Sequence, residues 1–217
     1  VPAPNARLRE PERPAKTGAS GGDACLTGRR GVALRIRGDA VADMKFYGYF
    51  RSSAAYRCRI AFNLKGIQPE FVAVNLRAGD QKSDAFRDLN PQGLVPMLDT
   101  GTARLTQSMA IIEWLDETHP TPPLLPQDAA ARAHVRAFAQ IIGCDIHPLQ
   151  NLRVLKYLKG EYGQDQDGLD AWCRNWIAPG LAACETMAAD QTHGGAYVFD
   201  HAPGLAEILL IPQMFSA

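Results

Sequence analysis

Two adjacent hydroxyls, Ser52 and Ser53, stand where an extended apolar run, Phe46 to Phe50, gives way to a helical pattern. Serine is a favoured helix N-cap because its oxygen accepts from first-turn N–H groups that have no partner within the helix. That turn also carries partial positive charge and lowers the pKa of a thiol held against it. A serine pair here suits either the capture of a thiolate or the plain capping of a helix, and the residues alone leave both readings open. Arg51, just ahead of the pair, can meet a carboxylate or stay solvated. His147 and Asn151 stand four residues apart, so they share a face if one kinked helix runs through Pro148. A histidine ahead of a helical proline can equally satisfy a carbonyl freed by the kink. His119, His134, His193 and His201 have no metal-ligand spacing, and no metal is expected.

Composition narrows the field. The chain has 217 residues, 46% of them hydrophobic, with a formal net charge of zero and a pI near 7.1. Neither nucleic acid nor an acidic membrane surface is suggested as a partner. The cysteines, Cys25, Cys58, Cys144, Cys173 and Cys184, are odd in number and form no Cys-x-x-Cys pair. That fits free thiols in a reducing compartment, and a cytoplasmic location is expected. No apolar run is long enough to predict a membrane span.

The elements that must position the serines are punctuated by caps and breakers. Residues 1–43 contain no aromatic residue and carry eight basic and five acidic side chains, so a disordered leader is expected, with Met44 as the natural start. Lys45–Tyr49 reads as a strand, Ser53–Lys65 as a helix ended by Gly66, and Glu70–Asn75 as a second strand, which together make a βαβ unit. A short helix over Asp84–Leu89 stops at Asn90-Pro91. Val95–Leu98 and Ala103–Leu105 read as a hairpin, and a helix from Gln107-Ser108 stops before Pro120. The proline-rich stretch Thr121–Gln127 reads as a boundary between a domain over 44–120 and an all-helical one over 128–217. In the second, Asp128 caps a helix predicted to run to about Leu158 with a kink at Pro148, and Gly160–Gly168 is a loop. A helix over Asp170–Ala189 would bury Trp172, Trp176, Leu181 and Cys184, and after a Gly194-Gly195 turn a last helix spans Pro203–Phe215.

Four motifs carry a family resemblance: the run from Ser52 to Ala61, Asn90-Pro91-Gln92-Gly93-Leu94-Val95-Pro96, Gln107-Ser108-Met109-Ala110-Ile111-Ile112-Glu113, and His147-Pro148-Leu149-Gln150-Asn151. From about Lys45 to Ala217 the chain resembles the zeta class of glutathione transferases, best known for maleylacetoacetate isomerase. The resemblance implies a thioredoxin-like α/β N-terminal domain followed by an all-α domain, with glutathione as cofactor and a homodimer as the assembly. It implies that Ser52 and Ser53 stabilise the glutathione thiolate, with Ser52 nearer the sulfur. Pro96 matches the family's cis-proline, which turns the Val95 backbone toward the cysteinyl part of glutathione. Gln107 and Ser108 hold the γ-glutamyl carboxylate, Gln81 lies near the glycyl end, and His147 and Asn151 look into the cleft. Many members have a cysteine directly after the serines; Ala54 stands there in this chain, which leaves sulfur activation to hydroxyls and the helix terminus.

The implied reaction is addition of the thiolate to a cis carbon–carbon double bond, rotation, and elimination to the trans product. Its substrate would be maleylacetoacetate, in aromatic amino-acid catabolism, with Arg51 and His147 near the substrate. The alternatives are maleylpyruvate as substrate, dehalogenation of small α-halo acids, or a non-catalytic glutathione-binding module. Dimer contacts are expected around Gln92–Met97 and along the helix after Asp128. Relatives continue for several helices beyond the segment matching Leu205–Ala217, so a C-terminally incomplete helical domain is also expected.

Overall fold

The structure is a computed structural model that describes residues 44–190 and 195–216. The expectations for residues 1–43, His193 and Gly194 lie outside the described residues. The chain enters at strand β1, Lys45–Gly48, whose alternate residues Phe46 and Gly48 are buried. Helix α1, Ser53–Lys65, follows and crosses over to strand β2, Glu70–Ala73, which pairs parallel with β1. Gly66 ends α1 in the left-handed region, φ 67°, with its N–H turned back on Asn63 and Phe62 carbonyls. A residue with a Cβ is disfavoured in that conformation, which is why glycine closes the helix.

The hairpin is offset from its expected place. Strand β3, Met97–Asp99, starts two residues later than predicted, because Pro96 has no N–H to give a ladder; the Val95–Pro96 bond is cis. Strand β4 is Arg104–Thr106, and the sheet order is β2-β1-β3-β4. Helix α2, Asp84–Arg87, lies between β2 and β3, and helix α3, Ser108–Thr118, follows β4. The sheet face beneath α1 and α3 is dry: Phe46, Leu98, Ile111, Ile112 and Leu115 are all at most 1% exposed. Phe46 meets Phe62 edge to face at 5.1 Å.

Beyond residue 128 the described chain is helical: α4 Ala129–Gln140, α5 Leu152–Glu161, α6 Gln166–Ala189 and α7 Leu205–Ser216. The expectation of one kinked helix to Leu158 is corrected. After α4 the chain widens into a π-helical segment, Ile141–Ile146, in which the His147 N–H reaches back five residues to the Ile142 carbonyl at 2.9 Å. Pro148 offers no N–H to continue the ladder, so the chain turns and restarts at Leu152. Close packing supports the wider turn: a Cβ on Gly180 of α6 would lie 2.5 Å from the Ile146 side chain. α6 begins at Gln166, capped by Asp165, four residues before the predicted start. Its buried residues are Leu169, Ile177 and Cys184, whereas Trp176 is 37% exposed and not the core residue expected. Trp172 is half-buried and donates through Nε1 to the Leu149 carbonyl at 2.7 Å.

Candidate active site

The register of the sheet brings the site together. Tyr47 pairs with Met97, and Met97 pairs with Thr106, so these three residues form one row at one edge of the sheet. The segments just past that row are Ser52-Ser53 after β1, Val95-Pro96 before β3, and Gln107-Ser108 after β4. Three stretches far apart in sequence thus emerge side by side, and two of them open helices. The N-termini of α1 and α3 face this edge with no acidic residue in either first turn. Converging helix N-termini present N–H donors and partial positive charge, which is an arrangement suited to an anion.

Each segment is held by local hydrogen bonds. The Ser52 N–H donates to the Tyr49 carbonyl at 3.0 Å, closing a turn at the end of β1. Ser52 is the N-cap of α1: its backbone is extended and its Oγ accepts from the Ala55 N–H at 3.2 Å. Its hydroxyl proton is not used in that bond. Ser53 is the first residue of α1, and its Oγ lies 3.2 Å from His147 Nδ1. Val95 lies outside the sheet ladder, and the loop before it is held by the buried Asn90, whose amide donates to the Leu94 carbonyl and accepts from the Gln92 N–H. Gln107 sits at φ 70°, a strained value for a side-chain-bearing residue, and its amide donates to Gln92 Oε1 at 2.7 Å. Ser108 is buried at the start of α3. Gln81 lies in a short 3-10 turn, Asp80–Lys82, packed on Gly93, and its Oε1 is buried without a partner.

Not every candidate joins this group in the expected way. Arg51 is exposed on the turn before Ser52. Asn151 does not share a helix face with His147: it is the N-cap of α5, its Oδ1 accepting from the Arg153 N–H at 3.1 Å, because the helix breaks at Pro148. Two residues that position the site were not anticipated. Asn90 shapes the loop that carries Val95; its motif was visible, but not its burial. Arg57, one turn along α1 from Ser53, is 2% exposed.

The electrostatics favour a neutral imidazole at His147 and a protonated thiol at Cys58. Burial, then the charges of Arg57 and Arg153, push the His147 pKa down from 6.5 to about 4. Burial raises the Cys58 thiol far above its ordinary value, and the Cys58 thiol points at the Ser108 carbonyl. The linkage for His147 runs in one direction. The unfolded chain binds its proton near pH 6.5 and the folded chain only near pH 4, so the native state gains stability as pH rises through that window. Wild type is therefore expected to lose stability as pH falls from about 6.5 to about 4, and a His147→Gln variant to lack that part of the slope. Urea midpoints measured across the window would check this, and equal slopes would count against it.

Among the described residues no group of three His, Cys, Asp or Glu side chains comes together as a metal site, and no helix is long and apolar enough to cross a membrane. Residues 51–118 match the family model for the glutathione S-transferase N-terminal domain. A maleylpyruvate isomerase from Ralstonia sp is 51% identical over 174 residues, covering 80% of this chain and 82% of that protein. Among solved structures, a holo maleyl pyruvate isomerase described as a bacterial glutathione S-transferase of the zeta class has a TM-score of 0.78 at 50% identity, over 80% of this chain and 82% of that one. Maleylacetoacetate isomerase from Methylobacterium extorquens AM1, solved with bound malonate and glutathione, has a TM-score of 0.76 at 42% identity, over 79% and 81% of the two chains.

Proposed function

This chain belongs to the zeta class of the glutathione transferase family, and on that premise we propose that it is a glutathione-dependent isomerase converting maleylacetoacetate to fumarylacetoacetate. The observation that carries the reading is the meeting of two helix N-termini, a serine pair and the loop before β3 at one sheet edge.

The residues present fit glutathione. The α1 and α3 N-termini suit a sulfur anion and a carboxylate. The Val95 backbone stands outside the sheet ladder, and the Gln81 Oε1 is a buried acceptor without a partner. When bound, glutathione supplies a sulfur nucleophile that adds to the cis double bond and leaves after rotation. Ser52 and Ser53 hold the sulfur as its anion. Ser52 accepts from Ala55 and keeps its hydroxyl proton to donate. His147 sets the direction of Ser53: with the imidazole proton on Nδ1, the ring donates to Ser53 Oγ and leaves the Ser53 proton for the sulfur. A hydrogen bond to a charged partner is worth about 1.5–3 kcal/mol, or roughly one to two units of thiol pKa. Gln107 and Ser108 take the γ-glutamyl carboxylate, and Arg51, exposed at the mouth, meets a substrate carboxylate. Asn151 serves as the cap that directs the chain out of the His147 turn.

Maleylpyruvate is the second reading, favoured by the 51% identity to the Ralstonia protein of that activity. Both candidates are cis-enediones with carboxylates, so the test is a side-by-side comparison of rates on the two compounds, with and without glutathione. Glutathione-dependent turnover of either supports the class of reaction, and the larger kcat/KM identifies the substrate. Glutathione-independent rates on both would overturn the reading.

The same family reading implies a homodimer and a cytoplasmic location, with residues 44–120 holding glutathione and the helices after 128 closing over it. Pro96 and Met97 are buried, so of the Gln92–Met97 stretch the contact surface is left to exposed Gln92 and half-buried Gly93, Leu94 and Val95, together with the outer face of α4. Light scattering at micromolar concentration should give twice the chain mass; a single-chain mass would argue against the dimer.

A further inference from the structure

Arg57 is the described residue whose charge is hardest to account for by packing. Its side chain is among the largest fully buried ones, and its Nε and Nη2 have no hydrogen-bond partner. A buried guanidinium without a counter-ion is costly, and such groups are ordinarily paired. The carboxylates on the surrounding elements are committed elsewhere. On α3, Glu113 pairs with Arg136 and Asp116 with Lys65, while Glu117 is exposed. On α7, Glu207 accepts from the Val198 and Gly204 N–H groups. In the π-helical segment Asp145 is exposed. In the sheet, Lys45 is paired with Glu70 and Asp99 with Arg104. The groups that sense the Arg57 charge are Cys58, Cys144 and His147. Gln213, fully buried on α7, adds another donor without a partner, its Nε2, while its Oε1 accepts from Gln150. The region therefore holds several unused donors and no free carboxylate among the described residues.

Its position relative to the serines is defined by the helix. Arg57 follows Ser53 by four residues, so the two share one face of α1, just over one turn or about 6 Å apart along the axis. Long side chains on a helix lean back over the preceding turn, which here is the turn that begins with Ser53. Ser53 touches His147 Nδ1, and His147 in turn feels the Arg57 charge.

We propose that Arg57 is an electrostatic positioning residue: a buried, unpaired cation one turn behind Ser53, whose counter-charge is the sulfur anion bound at the start of α1. The inference rests on the glutathione reading above and assigns to it a charge that neither serine supplies. Arg57 touches neither the sulfur nor the substrate. It acts through the potential at the helix start and by adding to the burial that keeps His147 neutral, so that the imidazole can direct the Ser53 hydroxyl. The thiol proton passes to solvent, and the net charge of the buried region falls from positive toward zero. Burial lowers the Arg57 pKa from 12.5 to about 10, which leaves the guanidinium charged at neutral pH.

The test is the pH titration of thiolate absorbance in the glutathione complex of wild type, R57M, R57Q and R57K. R57M and R57Q are expected to raise the apparent thiol pKa by about one unit, and R57K by less than half as much. The His147 ring, followed by NMR in the free proteins, should titrate at higher pH in R57M than in wild type. R57M without ligand should melt no lower than wild type, because a buried unpaired charge has been removed. Unchanged thiol titrations in R57M and R57Q would overturn the inference, and so would a clear fall in their melting temperatures, which would mark a paired structural arginine. If wild type neither holds glutathione nor isomerises, the functional reading fails instead. If wild type does both and the variants titrate like it, only the role of Arg57 fails.

Discussion

Ser52→Ala is expected to lower turnover by about two orders of magnitude while shifting the thiol pKa of the bound glutathione upward. The size follows from removing one hydroxyl aimed at a developing or standing negative charge, a loss that typically costs ~10²–10³ in rate. The same substitution removes the N-cap of α1, since Ser52 Oγ accepts from the Ala55 N–H at 3.2 Å. That second loss is worth about 1 kcal/mol of stability. The two effects separate by variant. Ser52→Asp keeps an acceptor for the cap but has no proton to donate to the sulfur, so it should restore the melting temperature without the rate. If it restores both, or if Ser52→Ala leaves the thiol titration unmoved, Ser52 is only a cap. Ser53→Ala should have the smaller effect on stability, because Ser53 caps nothing, and its effect on rate should depend on His147.

The largest stability effect is expected at Lys65, the last residue of α1. Its side chain is fully buried, and its Nζ donates to Asp116 Oδ1 at 2.7 Å and also to the Pro122 carbonyl. Asp116 Oδ1 accepts in turn from the Leu124 N–H at 2.8 Å. One ion pair thus ties α1, α3 and the proline-rich connection together. Leu124 also takes the first N–H of α7, from Leu205, on its carbonyl, which extends the tie into the helical half. Lys65→Ala leaves a mostly buried carboxylate without its cation, which costs about 3–5 kcal/mol when a buried pair is broken from one side. That is a large share of the ~5–15 kcal/mol margin of an ordinary domain. Urea unfolding should show a lower midpoint with an unchanged slope. Adding Asp116→Leu to Lys65→Met should recover much of the loss, because the orphaned charge is then gone. A single variant within about 1 kcal/mol of wild type would show that the pair contributes little.

The parts of the fold that were legible in the sequence are those written in local chemistry. Ser52 and Gly66 mark both ends of α1, and the bounds read from them agree with the structure, because a cap and a left-handed glycine act within one turn. The Val-Pro and Gln-Ser motifs located two more walls of the site, but only the register Tyr47–Met97–Thr106 explains why they meet. What stayed hidden depends on packing between distant elements. Pro148 announces a disturbance but does not distinguish a kink from a π-helical segment followed by a break; that choice involves α6, where Gly180 lets Ile146 approach. Asn151 therefore moved from a helix face to a cap. Trp176 lies at a position that α6 leaves partly open. Arg57 gives no local signal, because a charged residue in a helix is ordinarily solvated, and its burial appears only once α1 packs between α3 and α7. The roles of Gln81 and Gln107 came from family resemblance rather than from their own chemistry.

If glutathione serves this chain as a cofactor, it is returned at the end of every turnover. The direct measurement is product formed against glutathione supplied, with glutathione far below the amount of substrate and the free thiol counted before and after. Many turnovers for each glutathione, an unchanged thiol count, and loss of nearly all turnover when glutathione is withheld are expected. Product limited to the amount of glutathione added, with thiol consumed in proportion, or equal product without any glutathione, would contradict this role.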